Sequence, residues 1–259
     1  MRGAWSLALL GAVGCASVLG IPDKSPSFCA RPENQGHAWC EDFDVGDATT
    51  RWTYAVQTGG TLQIAPSDDS PPNLVDMATP VPPSGDALAG FTKEFDEATF
   101  TGLHIEADVR FVTPNGGSIT AQGGFLLVVD KAGGCVGVAI TPGGVGAAVA
   151  PDARSCSGLT SGLDSGGGGG GPPQQFPITG LPELNTWLHV KAIVTPNPDG
   201  SGTMTLEFRG QPAASSPVPL PPNTLVPSGA PLVGFAADAH GGTGSVEVQM
   251  DNITIDLTP

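Results

Sequence analysis

The sequence predicts an all-β chain folded as a two-sheet antiparallel sandwich or jelly roll. Three observations predict it. Apolar residues recur at every second position in several stretches, which is the period of a strand with one face buried. Glycine (38 residues) and proline (26) together approach a quarter of the 259 residues; that load interrupts long helices and suits short strands joined by turns. No stretch requires a helix longer than about three turns by the periodicity test. With 39% apolar residues the chain can bury a core, and all-β sandwiches of this length often form one undivided domain. The formal net charge of −15 argues against nucleic acid as a partner, because a phosphate backbone is normally met by lysine and arginine.

The N-terminus reads as an export signal over residues 1–14. Met1 and Arg2 form a positive start, and Ala4 to Val13 is an apolar run followed by small residues, the layout of a secretory signal. The run is too short to span a bilayer. "AVGC" at residues 12 to 15 resembles a bacterial lipobox, with Ala12 where leucine is commoner. That resemblance implies cleavage before Cys15 and lipid attachment to its thiol; the alternative is an ordinary signal with an incidental cysteine. Several acyl chains would hold the protein stably to a membrane, which places it at the bacterial cell envelope, in the outer membrane or at the cell surface. Residues 15–38 carry three prolines without sustained periodicity and read as a lipid-attached tether.

Cysteine arithmetic agrees with the lipid reading. Five cysteines leave one unpaired in an exported chain, whereas taking Cys15 away leaves Cys29, Cys40, Cys135 and Cys156, an even set suited to disulfides. Proximity favours Cys29 with Cys40 and Cys135 with Cys156, although four cysteines allow three pairings. No two cysteines stand at C-x-x-C spacing, which speaks against a zinc site.

From Trp39 onward the period of two dominates. In "GLHIEADVRFV" Leu103, Ile105, Ala107, Val109 and Phe111 alternate with His104, Glu106, Asp108 and Arg110, giving one apolar and one charged face. "WLHVKAIV" and "TMTLEFRG" repeat the pattern, and "TPNPDGSG" between them has hairpin turn chemistry. "GGFLLVVD" is continuously apolar, as expected of a strand covered on both faces. In "SVEVQMDNITIDL" the apolar phase slips by one residue at Asp251 and Asn252, and a β-bulge there would restore the facing. "SGLDSGGGGGGPPQQFP", residues 161–177, contains six consecutive glycines and reads as a mobile surface loop.

"WCEDFD", "GLHIEADVRF", "WLHVKAIV" and "VQMDNITID" together resemble the concanavalin A-like, laminin G-like jelly rolls of bacterial surface lipoproteins, over roughly residues 39 to 257. The resemblance implies a two-sheet antiparallel jelly-roll sandwich. Its members include lectins, glycoside hydrolases, polysaccharide lyases and domains without known activity, so fold alone does not select a function. The β-glucan hydrolases of that superfamily carry a glutamate, an aspartate two residues on, and a second glutamate two or three residues later. Glu106 and Asp108 supply the first two, roughly 6.5 to 7 Å apart at Cα on one strand face, and two carboxylates could serve as acid and nucleophile. Arg110 and Phe111 stand where the second glutamate is required. The pattern fails there, and alternation alone explains the pair as the polar face of a strand.

Other candidates follow from residue type. No G-x-S-x-G stretch occurs, and His37, His104, His189 and His240 are scattered. His240 lies near Asp238 in a glycine-rich stretch but lacks a third partner. After export the indole and phenol groups are Trp39, Trp52, Trp187 and Tyr54. Trp187 begins an inward-patterned strand, which leaves Trp52 and Tyr54, on one face of "RWTYAVQ", as candidates for stacking on a sugar, against packing between the sheets. The family resemblance also implies a structural calcium tying the first strand to the last, with Glu41, Asp42, Asp44 and Asp251 as hard oxygen ligands; solvated strand ends are the alternative. The expectation is therefore a cell-envelope lipoprotein with a non-catalytic binding or structural module and weak carbohydrate binding. Two alternatives stand beside it: a polysaccharide hydrolase or lyase with an unrecognised site, and a protein-interaction domain of an envelope assembly, where an acidic surface would complement a basic partner.

Overall fold

The computed structural model describes residues 26–70, 72–80, 86–96, 101–112, 122–131, 134–140, 146–150, 174–177, 183–212, 217–220, 222, 230–240 and 245–258. They form two antiparallel sheets. The nine-stranded sheet runs β13 (Gln211–Pro212), β12 (Gly202–Phe208), β11 (Leu188–Pro196), β6 (Gly102–Phe111), β16 (Ser245–Thr258), β4 (Asn73–Pro80) and β3 (Thr61–Pro66). To these β1 (Trp39–Glu41) adds on β16 and β14 (Val218–Leu220) on β12. The seven-stranded sheet runs β10 (Gln174–Pro177), β9 (Gly146–Ala150), β8 (Gly134–Ile140), β7 (Gln122–Lys131), β15 (Pro231–His240), β5 (Asp86–Glu94) and β2 (Tyr54–Thr58). No helix among the described residues is long and apolar enough to cross a membrane.

Alternation decides which residues fill the space between the sheets. Leu103, Ile105, Ala107, Val109 and Phe111 of β6 are buried, as are Leu188, Val190, Ala192 and Val194 of β11 and Met204, Leu206 and Phe208 of β12. They belong to one core cluster with Ala89 and Phe91 of β5 and Val233, Phe235 and Ala237 of β15. The "TPNPDGSG" turn joins β11 to β12 as expected, with Asn197 N donating to Ser201 O at 2.7 Å and Gly200 at φ +75°. Gly90 of β5 marks a close approach, since a Cβ there would lie 2.4 Å from Phe235 O.

The slip at Asp251 and Asn252 is a β-bulge. The β16 to β6 register shifts between Asp251 and Thr254, and Asn252 sits at φ +52°. Val246, Val248 and Met250 before the bulge and Ile253 and Ile255 after it are all buried on the core side. The bulge is also where β16 exchanges its second neighbour. Its first half pairs with β4, and Ile253, Thr254 and Ile255 pair with Glu41, Cys40 and Trp39 of β1.

The segment expected as a tether up to residue 38 is instead a stabilising hook, docked on the domain from residue 28. Phe28–Ala30 and Pro32–Asn34 form two 3-10 turns, closed by Asn34 Nδ2 donating to Phe28 O at 2.8 Å. Cys29 is disulfide-bonded to Cys40, with Cα atoms 5.7 Å apart. His37 Nδ1 lies 2.7 Å from Asp256 Oδ2, and Ala38 N donates to Asp256 Oδ1 at 3.1 Å. Of the expected second bridge, Cys135 lies in β8 and Cys156 outside the described residues. Of the glycine-rich stretch, 161–173 lies outside the described residues, and Gln174–Pro177 is not loop but a strand, because it finds the free edge of β9.

Removing the bridge with Cys29→Ser and Cys40→Ser is expected to cost about 2 to 3 kcal/mol, a drop in melting temperature of about 4 to 12 °C. Thermal unfolding followed by circular dichroism measures it, and an unchanged midpoint would contradict the role given to the hook.

Candidate functional site

Because β6 alternates, His104, Glu106, Asp108 and Arg110 all project from the outer face of the nine-stranded sheet, away from the core. Register then decides their neighbours. On β11, Lys191 stands opposite Glu106 and His189 opposite Asp108. On β16, Thr254 stands opposite Glu106 and Gln249 opposite Arg110.

The side chains brace one another. His189 Nδ1 is 2.9 Å from Asp108 Oδ1 and His189 Nε2 is 3.4 Å from Glu106 Oε2. Lys191 Nζ lies 3.5 Å and His104 Nε2 3.0 Å from Glu106 Oε1, the latter a close contact rather than an aligned hydrogen bond. Asn252, turned by the bulge, donates Nδ2 to Asp108 Oδ2 at 2.9 Å. All four oxygens of Glu106 and Asp108 therefore have a nitrogen within 3.5 Å. The hydrogen bond to Asp108 raises the His189 imidazole above its ordinary value, opposed by burial and reinforced by the charges of Asp108 and Glu106.

One edge of the face is closed by the β3 to β4 loop. Asp69 Oδ2 accepts from Arg110 Nη1 at 2.6 Å, and Ser70 Oγ donates to Asp251 Oδ2 in a short contact. Arg110 also lies over the ring of the half-buried Trp187, 4.7 Å from its centroid. Trp187 thus precedes β11 as a platform for a guanidinium, where the inward pattern had placed it in the core.

The structure divides the residues predicted for ligand binding. Glu106 and Asp108 lie on this face. Trp52 does not lie on a strand face with Tyr54: it precedes β2 and is buried, stacked on Phe91 at 4.5 Å between centroids and edge-on to Phe43 at 6.2 Å. Burial of its ring against two aromatics removes it from any sugar. Tyr54 is 51% exposed, but on β2 at the edge of the other sheet. His240 ends β15 rather than lying in a loop. The alternation of "WLHVKAIV" marks His189 and Lys191 only as the polar face of a strand; the β6 to β11 register brings them onto Glu106 and Asp108.

Glu41, Asp42, Asp44 and Asp251 lie near where the first strand meets the last, and each carboxylate accepts from donors of the protein. Arg51 Nε and Nη2 donate to Glu41 at 2.7 and 2.5 Å, and Phe43 N donates to the same carboxylate at 2.8 Å. Asp42 accepts from Cys29 N at 2.8 Å and Asp44 from Asn73 N at 3.1 Å. Calcium takes six to eight oxygens, whereas no cluster of three or more metal-ligating side chains occurs among the described residues. The donor set does not fit an ion: at Glu41 the guanidinium of Arg51 supplies the positive charge. A cleft of about 300 Å³ beside this corner is lined by Cys29, Cys40, Glu41, Val45 and Arg51. Asp251, buried beneath the Ser70 loop, has its carboxyl pushed up to about 7, first by burial and further by Asp44 and Asp42, against the hydrogen bonds of Ser70 and Asn252.

No protein-family model and no curated protein sequence matches the chain. Solved structures do match in fold. The endo-β-1,4-glucuronan lyase of the fungus Trichoderma reesei aligns at 10% identity and TM-score 0.55, covering 86% of this chain and 96% of that one. The alginate lyase vAL-1 from Chlorella virus aligns at 11% and 0.51, covering 80% and 93%. The carbohydrate recognition domain of Emp46p, in its potassium-bound form, aligns at 10% and 0.50, covering 83% and 94%. The protein shares their fold, a two-sheet antiparallel jelly-roll sandwich.

Two titrations are checkable. An unfolded aspartate loses its proton near pH 3.9, so between about pH 4 and 7 the folded state binds more protons at Asp251 and stability falls as pH rises. Asp251→Asn is expected to melt a few degrees above the natural protein at about pH 8 and no higher at about pH 4; parallel profiles would refute the assignment. For His189, pairing stabilises below the ordinary value of about 6.5 and is lost as pH rises through the raised folded value. NMR of the imidazole should give a midpoint above about 6.5, and Asp108→Asn should lower it.

Proposed function

We propose that the chain is an exported lipoprotein of the bacterial envelope, anchored through Cys15, whose jelly roll binds polysaccharide on the outer face of the nine-stranded sheet without cleaving it. The observation that carries this reading is the cross-braced polar face itself. Adjacent strands β11, β6 and β16 present side chains held in place before any ligand arrives, and such pre-ordering lowers the cost of binding. A face spread across adjacent strands suits an extended polymer better than a small molecule, which needs a concave pocket. The matching solved structures bear the names of polysaccharide lyases and a carbohydrate recognition domain, in keeping with a glycan ligand.

The carboxylates speak against hydrolysis. Glycoside hydrolysis uses one carboxyl as acid and a second as nucleophile or base. Here the oxygens of both Glu106 and Asp108 face protein nitrogens. A lyase is the second reading, favoured by the 44% exposed side chain of His189 on the same face, an imidazole able to serve as base.

Affinity electrophoresis of the full chain through gels containing neutral and acidic polysaccharides tests the site. Retardation in at least one gel is expected, reduced about tenfold or more in apparent affinity by Glu106→Ala with Asp108→Ala and unchanged by Tyr54→Ala on the other sheet. Loss with Tyr54→Ala would move the site; new reducing ends or unsaturated uronates would establish cleavage. Cys15→Ser should leave the domain folded while abolishing signal processing and fatty-acid labelling.

A further inference from the structure

The same face carries a second polar row beside the Glu106 and Asp108 cluster, which no motif in the sequence marks. Gln63 of β3, Asp76 of β4, Gln249 of β16 and Arg110 of β6 stand next to one another across four neighbouring strands. Gln63 Nε2 donates to Asp76 Oδ2 at 3.0 Å, and Arg110 Nε and Nη2 donate to Gln249 Oε1 at 3.0 and 2.5 Å. The other oxygen of Asp76, Oδ1, is buried and has no hydrogen-bond partner. Glu247, two residues before Gln249 on the same strand face, has its carboxyl raised by burial and by the charge of Asp76. A buried acceptor without a donor is costly, and a donor brought by a ligand removes that cost.

Charge on the face narrows the ligand. The four basic side chains that β6 and β11 present, His104, Arg110, His189 and Lys191, all contact carboxylates of the protein itself. A polyuronate brings a carboxylate on every sugar and would have to displace an internal pair to gain a cation, on a chain whose net charge is −15. An uncharged sugar brings hydroxyl donors, which a carboxylate accepts more strongly than a neutral acceptor does.

We infer that the ligand is an uncharged polysaccharide and that Asp76, braced by Gln63, selects it by accepting sugar hydroxyls through Oδ1; this rests on the reading of the face as a glycan site. Gln63, exposed on the edge strand, keeps its hydrogen bond to Oδ2 and so holds the carboxylate in place as the hydroxyl approaches Oδ1.

The test uses the full chain in affinity gels containing a neutral β-glucan or a polyglucuronate, at low and raised salt. The natural protein should be retarded by the β-glucan with little salt dependence and should pass the polyglucuronate unretarded. Asp76→Asn, which keeps the shape and loses the charge, should weaken β-glucan retardation about tenfold. Gln63→Ala, at an exposed position, should weaken it in the same direction and serves if Asp76→Asn fails to fold. Retardation by polyglucuronate, or natural retardation in both variants, overturns the inference while leaving a glycan site in place. Retardation by neither polymer overturns the glycan reading as well.

Discussion

The nine-stranded sheet depends on one irregularity, the extra residue that β16 takes up at Asp251 and Asn252. A fourteen-residue strand in unbroken alternation would present either its first or its last apolar residues to water. The bulge keeps both sets in the core, and asparagine is among the few residues that accept the left-handed backbone this needs. It also frees the far half of β16 from β4, which is how β1 obtains a place beside the C-terminal strand. The docking of the hook, the burial of Asp251 under the β3 to β4 loop and the reach of Asn252 to Asp108 all follow from that displacement.

Electrostatics on this scaffold is a matter of few cations and many carboxylates. Ten lysines and arginines face twenty-five acidic residues, and Arg51, Arg110 and Lys191 are held within the protein by Glu41, Asp69 and Glu106. The field that reaches solvent is therefore acidic. Asp251 and His189 both bind protons more tightly in the fold, so the two shifts act in the same direction with pH rather than cancelling.

Strands whose second face meets water were legible in the sequence, because alternation is the imprint of that asymmetry. β6, β11 and β12 are such strands, and the bulge was legible as a break in their rule. Where both faces are covered the imprint vanishes: Ala87 to Thr92 of β5 are buried without a break, and nothing in their order marks Gly90 as the closest approach to β15. Trp52 was misplaced because a period of two was extended one step beyond the strand, into the junction after a 3-10 turn. Of the site, Glu106 and Asp108 were visible as a pair on one strand, but His189, Asn252 and Asp76 reach the same face only through pairings between distant segments, which no local pattern encodes.

The bridge between Cys29 and Cys40 has a mechanical meaning. Tension applied to the N-terminus does not travel through residues 30 to 39; it passes from one sulfur to the other and enters the sheet at Cys40. It arrives at the middle residue of β1, where Trp39, Cys40 and Glu41 pair with Ile255, Thr254 and Ile253, so the load falls on the pairing of the first strand with the last. The turns and the His37 to Asp256 contact lie in a slack loop, sheltered from the pull.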